Sequence, residues 1–248
     1  MRYNGIDPRT LHRGISIAKE IPPGAPTSQL ETLTGASGEI ITGRTIKQGE
    51  YIVRINIAGR TREEAWAIRA KLASWARSAD DTTHELEPTR WPGVAYDAIF
   101  KEITAPEFVF GFAVVDVIFA IPRPIAHAIQ DSTATGGAEI ALSVMGTSYV
   151  RPEFTLTMAG GYPAQITVDS TVYAAVSYPF QAGDVLTIRT DPPKVIIATD
   201  SSVLQGDRYV DYEETDLDAL SRALTPGSHS VACAQASRIA ARWKEEYL

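Results

Sequence analysis

Most of the chain alternates between apolar and polar residues with a period of two, which is the pattern of half-buried β-strands. The alternation is clearest over residues 51–57, where every odd-numbered position is large and apolar. Similar runs follow Gly14, begin at Val94, and recur several times between residues 138 and 199. The pattern therefore predicts a mainly β protein.

One stretch, residues 61–78, has the period of a helix instead. Its apolar positions recur three and four residues apart and form a single stripe: Ala65, Ile68, Leu72 and Trp75. Thr61 and Glu64 have the spacing of a capping box, in which the hydroxyl accepts a hydrogen bond and the carboxylate reaches back. We expect one long helix, from Thr61 to Ser78, packed against the strands.

A longer apolar run covers residues 107–121 and is apolar on both of its alternating faces. We expect one continuous strand here. Because both faces are apolar, we expect both to be covered, by the helix and a second sheet or by a neighbouring subunit. Asp116 interrupts one face, which favours either an edge position or a local hydrogen bond for its carboxylate.

Between residues 121 and 137 the composition changes to Pro, then to Ser, Thr and Gly, as in a linker between packed units. We therefore expect two domains, residues 1–126 and 127–248. After this stretch, short strands alternate with turn signals such as Gly160-Gly161 and Pro226-Gly227, as in a β-sandwich. Residues 216–224 are expected to form a short helix, and residues 237–248 a terminal strand.

Composition excludes several classes of protein. The net charge of −7 argues against a protein that grips nucleic-acid phosphates or anionic membranes. A single cysteine excludes an internal disulfide and a cysteine-rich zinc site. The chain shows neither a secretion signal nor an apolar run of about 20 residues, so we expect no membrane span and folding in a reducing cytoplasm.

No motif for catalysis, a cofactor or a metal is recognisable in the sequence. The four histidines, at positions 12, 84, 127 and 229, are scattered singly, which favours loop or surface roles. Cys233 alternates with Val231 and is expected to be an inert core thiol. The acidic residues at positions 211, 213, 214, 216 and 218 lack calcium-loop spacing and are expected to be solvated. We predict no catalytic, cofactor-binding or metal-binding residues, and no enzymatic activity.

The order of several motifs resembles that of the distal tail proteins of bacteriophages with long, non-contractile tails. In the first half these are YNGIDP, TGASGEIITGR, REEAWAIRAKLASWA and FAIPRP; in the second half AGDVLTIRTDPPKV, LTPGSHSV and ARWKEEY. The chain departs from the family at residues 35–38, where Gly-Ala-Ser-Gly stands in place of a Gly-Arg-Asp-Gly type turn.

This resemblance implies an N-terminal β-sandwich or split barrel with one packed helix, followed by a galectin-like β-sandwich. It also implies a structural role in the virion: a hexameric ring at the baseplate hub, between the tail tube protein and the tip or baseplate proteins. DNA would pass through the ring without specific binding, and neither a membrane nor a cofactor would be involved.

A carbohydrate-binding module that adheres to the host surface is the alternative function. Sugar sites combine an aromatic platform with amide and charged donors. Residues 131–235 contain no Trp, and both asparagines of the chain precede residue 60. The tyrosines at positions 149, 162, 178 and 212 can stack on sugars, but packing in the core or in turns is their expected use.

Overall fold

A computed structural model describes residues 1–24, 27–32, 39–45, 49–77, 82–109, 112–190, 193–199, 208–209 and 223–248. The acidic residues 211–218, Tyr212 and most of the predicted short helix, residues 216–222, lie outside these ranges. The chain divides into two compact units, Met1–His127 and Ala128–Tyr247. Strands dominate both units, so the mainly β fold class is confirmed.

The first unit is an antiparallel sheet with one helix. Its strands are β1 (Arg2–Tyr3), β2 (Ile15–Ile21), β3 (Thr27–Thr32), β4 (Glu39–Thr45), β5 (Gly49–Ile57), β6 (His84–Glu87), β7 (Val94–Ile103), β8 (Glu107–Val109), β9 (Phe112–Ile121) and β10 (Ala126–Ala128). A 3-10 turn, Pro8–Thr10, follows β1, and the helix α1 is Arg62–Ala76. The sheet order is β1-β6-β7-β9-β5-β2, with β8 paired to β9 and β10 to β7, while β3 and β4 form a separate hairpin.

Helix α1 begins as the sequence predicts. The hydroxyl of Thr61 accepts from the N–H of Glu64 at 3.2 Å. The Glu64 carboxylate reaches back one residue further than a standard capping box, to the N–H of Arg60 at 2.7 Å. The helix ends at Ala76, because Arg77 already has extended backbone angles, so it stops before the predicted end at Ser78.

The buried face of α1 consists of Ala65, Ile68, Leu72 and Ala76. Trp75, at the margin of this stripe, is half-buried and donates its indole N–H to the carbonyl of Ile6 at 3.3 Å. The helix covers the odd-numbered side chains of β5 and β9, which are buried, and the Trp75 and Phe119 rings meet edge-on at 6.2 Å. The alternation predicted for residues 51–57 is therefore confirmed.

The single strand predicted over residues 107–121 is wrong. Two strands, β8 and β9, pair antiparallel, with Glu107 opposite Val114 and Val109 opposite Phe112. Phe110 and Gly111 lie outside the described residues. In the sequence the two strands meet at Phe110-Gly111, where the glycine is the one residue typical of a turn and the apolar pattern on either side masks it.

Only one face of β9 is fully covered by the described residues of this chain, and cover of the other face by a neighbouring subunit stays a prediction. The odd-numbered residues of β9 are buried, but the even-numbered residues are half-buried, and Phe112 is exposed. Asp116 is not at an edge, since β9 lies between β7 and β5. Its carboxylate instead has the local partner that was the other expectation: Arg54, directly opposite on β5.

The second unit is a sandwich of two antiparallel sheets. Its strands are β11 (Ser132–Gly136), β12 (Glu139–Val144), β13 (Glu153–Met158), β14 (Ala164–Val168), β15 (Thr171–Val176), β16 (Val185–Thr190), β17 (Pro193–Ala198), β18 (Arg208–Tyr209), β19 (Gly227–Ala232), β20 (Ala236–Trp243) and β21 (Glu246–Tyr247). One sheet has the order β11-β20-β13-β16-β17-β18 and the other β12-β19-β14-β15. Side chains from both sheets share one hydrophobic core.

The linker predicted over residues 121–137 is wrong in its second half. Residues 132–136 form β11, which pairs with β20 from Ser132 opposite Trp243 to Gly136 opposite Ile239. Small Ser, Thr and Ala side chains suit an edge strand that is half-exposed, so composition alone mistakes this strand for a loop. The terminal strand predicted for residues 237–248 is present as β20 and β21.

Replacing Leu72 with Ala tests the packing of α1. Leu72 is fully buried on the helix, so we expect the substitution to lower the free energy of unfolding by about 2–5 kcal/mol, through lost transfer energy and the cavity left behind. Thermal or denaturant unfolding of the full chain measures the change. Lys71→Ala, at the exposed neighbouring position, is the control, and equal midpoints for the two variants would contradict the packing described.

Candidate functional site

The four histidines do not converge, as their scatter in the sequence suggests. His12 accepts from the N–H of Gly14, His84 packs edge-on against Tyr3, and His229 contacts Asp169. His127 has two carboxylates near it, Glu85 at 3.6 Å and Asp97 at 3.9 Å. Within the described ranges, no group of three or more His, Cys, Asp or Glu side chains is arranged to hold a metal ion.

Two further sequence predictions concern a thiol and the membrane. Cys233 is buried, and burial raises the pKa of its thiol, so the group is unreactive as expected. In the part of the chain that the structure describes, no helix has the length and apolar character needed to cross a bilayer.

The first unit carries a half-exposed apolar surface, which we call the outer face: the side of β5 and β9 opposite α1. Cross-strand register places Ile52 beside Ile118 and Asn56 beside Val114 on this face. The exposed Phe112 continues it toward the β8–β9 hairpin. A half-exposed row of aliphatic side chains is typical of a surface that another polypeptide covers.

The charges on the outer face pair with one another. Arg54 donates two hydrogen bonds to the carboxylate of Asp116, both at 2.9 Å, and this contact lowers the pKa of Asp116. Lys101 and Glu50 form a second pair at 2.5 Å. The outer face therefore presents aliphatic side chains together with charges that are already paired, rather than an excess of positive or of negative charge.

A second exposed cluster lies where α1 begins. The guanidinium of Arg62 stands 5.2 Å from the ring centre of Phe108, and that of Arg69 stands 5.4 Å from the ring of Trp66. Arg69 also donates to the carbonyls of Ile103 and Thr104, at 2.8 and 2.7 Å. Trp66 and Phe108 remain 48% and 42% exposed, so two large aromatic rings are held in place while facing solvent.

In the second unit, a buried carboxylate fixes an exposed loop, residues 145–150. One oxygen of Glu245 accepts from the N–H groups of Met145 and Gly146, at 2.9 and 2.8 Å. The other accepts from the indole N–H of Trp243 at 2.7 Å. The loop packs closely here, since a Cβ at Gly146 would collide with the carbonyl oxygen of Glu246. It displays Met145 and Tyr149, which are 75% and 60% exposed.

Tyrosines of the second unit do not all have the predicted use. Tyr178 packs against Phe180, with ring centres 4.9 Å apart, as expected of a turn-packing residue. Tyr149 and Tyr162 instead face solvent, and Tyr162 is 65% exposed. Tyr162 follows two glycines with positive φ, whose backbone is fixed by reciprocal hydrogen bonds between Gly161 and Phe180.

Solved structures with this fold are phage tail components. The SPP1 Dit protein, described as a paradigm of the hub adsorption apparatus in phages that infect Gram-positive bacteria, aligns with 99% of this chain and 98% of its own, at 16% identity and a TM-score of 0.72. The chain has the fold of a Dit protein. The baseplate of phage P2, in its activated conformation with calcium, aligns with 94% of this chain and 90% of its own, at 10% identity and a TM-score of 0.50. No protein-family model and no curated protein matches the sequence.

The Dit fold accounts for both units at once. The SPP1 Dit alignment includes both units, since it covers 99% of this chain. The resemblance inferred from sequence motifs and the similarity in structure therefore agree at the level of the fold.

Sequence reasoning missed Glu245, although its signal was present. Position 245 has the same parity as Ile239, Ala241 and Trp243, which face the core along β20. Glutamate, however, is rarely buried, and a Lys-Glu-Glu triplet gives no sign of a buried carboxylate. Parity indicates which face a side chain occupies, but only the fold shows that four donors meet there, the fourth being the hydroxyl of Ser132 at 3.3 Å.

Glu245→Gln tests the carboxylate that fixes the 145–150 loop. The amide keeps one acceptor oxygen but turns an NH2 group toward N–H donors, so we expect a loss of about 1–3 kcal/mol in the free energy of unfolding. Glu102→Gln, at an exposed strand position, is the isosteric control and is expected to change little. Equal unfolding midpoints for both variants would show that the Glu245 hydrogen bonds do not support the unit.

Proposed function

We propose that this chain is a structural component of a bacteriophage tail, a distal tail protein of the baseplate hub that forms a homo-oligomeric, hexameric ring. The observation that carries the proposal is the alignment of both units, over nearly the full length of each chain, with SPP1 Dit. In this role the ring joins the tail tube protein to the tip or baseplate proteins and surrounds the channel through which DNA leaves. The protein is made in the host cytoplasm and resides in the virion.

The surface of the first unit supports self-association in such a ring. The outer face has aliphatic side chains from two central strands, and its two ion pairs are already formed within one chain. Charged residues are rare at the centres of protein interfaces. Because the charges of this face are already paired, a symmetric neighbour can cover it without burying an unpaired charge. The oligomer has no need of a catalytic group, in agreement with a purely structural role.

The distribution of charge fits a conduit for DNA. Residues 1–127 contain 15 Lys and Arg against 15 Asp and Glu, whereas residues 128–248 contain 8 against 15. The net charge of −7 is therefore carried by the second unit. A ring built from neutral first units has no excess of cations to bind phosphates, so DNA can slide past it.

The second unit has a separate role in this proposal. As a galectin-like sandwich it is available to dock other tail proteins. Its fixed 145–150 loop, with Met145 and Tyr149 exposed, is a suitable contact for such a partner. The domain division follows from this assignment, with a ring-forming unit up to about residue 126 and the sandwich beyond it.

Carbohydrate binding by the second unit is the second candidate function. The observation that favours it is the exposure of Tyr149 and Tyr162, since exposed aromatic rings are the platforms on which sugars stack. In this case the sandwich would adhere to the glycans of the host surface.

Assembly of the full-length protein tests the ring. We expect sedimentation at high concentration to give a species about six times the chain mass of 26.9 kDa, and negative-stain images to show annular particles. Ile52→Lys places a charge on the outer face between Ile21 and Ile118, and it is expected to abolish the ring while leaving the fold intact by circular dichroism. Ala240→Lys, at a half-exposed position of β20, is the matched control. A monomer that persists with tail-tube and tip proteins supplied would contradict the ring.

A glycan array tests the second candidate function. If the second unit is a docking module, the full chain should bind no glycan above background. If it binds sugars, Tyr162→Ala should abolish the signal, because it removes an exposed ring. Tyr178→Ala removes a packed ring instead, so the variant protein that remains folded should still bind the same glycans. Specific binding that Tyr149→Ala or Tyr162→Ala removes would favour the carbohydrate module.

A further inference from the structure

His229 lies between two groups that can only accept hydrogen bonds. Its Nδ1 is 2.7 Å from a carboxylate oxygen of Asp169, and its Nε2 is 2.7 Å from the carbonyl oxygen of Thr225. A neutral imidazole carries one N–H, so it can satisfy one of these acceptors and leaves the other facing a lone pair. Only the doubly protonated imidazolium satisfies both contacts.

The proton belongs on the histidine rather than on Asp169. The ordinary pKa of a histidine is about 6.5 and that of an aspartate about 3.9, so an imidazolium–carboxylate pair is favoured over two neutral groups. The other oxygen of Asp169 accepts from the N–H of Ser230 at 2.9 Å, which also favours the charged carboxylate. The side chain of Asp169 is half-exposed, so its charge does not have to be desolvated.

The contacts of His229 join three segments of the sandwich. Asp169 begins the β14–β15 turn, where both Asp169 and Ser170 have positive φ. His229 itself is on β19, and Thr225 precedes that strand. Ser230 continues the network on the other side of β19, donating its hydroxyl to Glu139 of β12 at 2.8 Å. One imidazolium thus connects the β14–β15 turn and the segment before β19 to β19 itself, in the smaller sheet.

We propose that His229 is a pH-sensitive latch, which as an imidazolium holds the β14–β15 turn and the Thr225–Gly227 segment onto β19 and which releases one of them when it loses a proton. The loss of one N–H turns one of its two hydrogen bonds into a contact between lone pairs. The remaining N–H stays on Nδ1, because the charged carboxylate of Asp169 is a stronger acceptor than a carbonyl. The lone pair of Nε2 then faces the carbonyl oxygen of Thr225, so Thr225 is the partner that is released.

The charged groups around the latch set the pH at which it opens. Asp169 faces the imidazole from the β14–β15 turn, and Glu139 of β12 reaches the network through Ser230. No other charged side chain among the described residues of these segments hydrogen-bonds to the ring. Burial opposes the charge, but the hydrogen bonds to Asp169 and Thr225 outweigh it, so the pKa of His229 is raised above 6.5. His229 and Ser230 in turn lower the pKa of Asp169.

The sign of the pH dependence follows from these directions. The stabilisation from His229 is complete below its unfolded pKa of about 6.5 and is lost as the pH rises through the raised folded pKa. The stabilisation from Asp169 is present above its ordinary pKa of about 3.9 and is lost as the pH falls through the lowered folded pKa. The latch is therefore closed from weakly acidic to near-neutral pH, and it opens on the alkaline side.

NMR titration of the full chain tests the latch directly. Ring resonances of His229, assigned with His229→Gln, should report protons on both nitrogens at pH 6 and a titration midpoint above about 6.5. The amide resonance of Ser230 should follow the same midpoint, because it donates to Asp169. A single protonated nitrogen at pH 6, or a midpoint at or below about 6.5, would overturn the proposal.

Asp169→Asn separates the latch from ordinary packing. Asn tolerates the positive φ of this turn, so the backbone is preserved, but the charge that favours imidazolium is removed. We expect the His229 midpoint to fall by about 1–3 pH units. An unchanged His229 midpoint in Asp169→Asn would overturn the proposal, and a melting difference between wild type and His229→Gln that is equal at pH 6 and pH 9 would do the same.

Discussion

The packing of α1 against one face of β5 and β9 buries the core of the first unit, and the rest of that unit is arranged around it. Odd-numbered side chains of both strands lie under the helix, and Leu72 and Phe119 are fully buried there. Because side chains alternate across a strand, a slip of one residue in the β5–β9 register would exchange the aliphatic set for Arg54 and Asp116. The same constraint leaves the even-numbered residues on the outer face, so the packing of one side determines what the other side presents.

The parts of the fold that follow from local periodicity were predictable. The capped helix, the alternation over residues 51–57 and the strands of the second unit all depend on residues within a few positions of one another. The errors at residues 107–121 and 132–136 have a different origin. At residues 132–136 composition indicated a loop, but pairing with the distant β20 imposed a strand. At residues 107–121 the apolar pattern indicated one strand, but its two parts pair with each other as β8 and β9.

The polar contacts of the second unit were beyond prediction for a related reason. Glu245 and His229 each form hydrogen bonds with groups far away in the sequence, Met145 in one case and Asp169 in the other. Strand parity places Glu245 on the buried side, but neither Glu245 nor a histidine at a strand start has a local feature that identifies its hydrogen-bond partners. Distances of 2.7 to 2.9 Å to fixed donors or acceptors distinguish them, and these arise only when the sheets come together.

The pairing of Arg54 with Asp116 affects the kinetics by which the outer face meets another molecule. A surface whose charges are already neutralised projects little long-range field, so encounters with it are not accelerated by electrostatic steering. This face therefore adds little electrostatic attraction, whereas the net charge of −7 makes copies of the chain repel one another, a repulsion that added salt screens. Specific contact through such a face depends on how long a partner stays bound after collision rather than on how often the two meet.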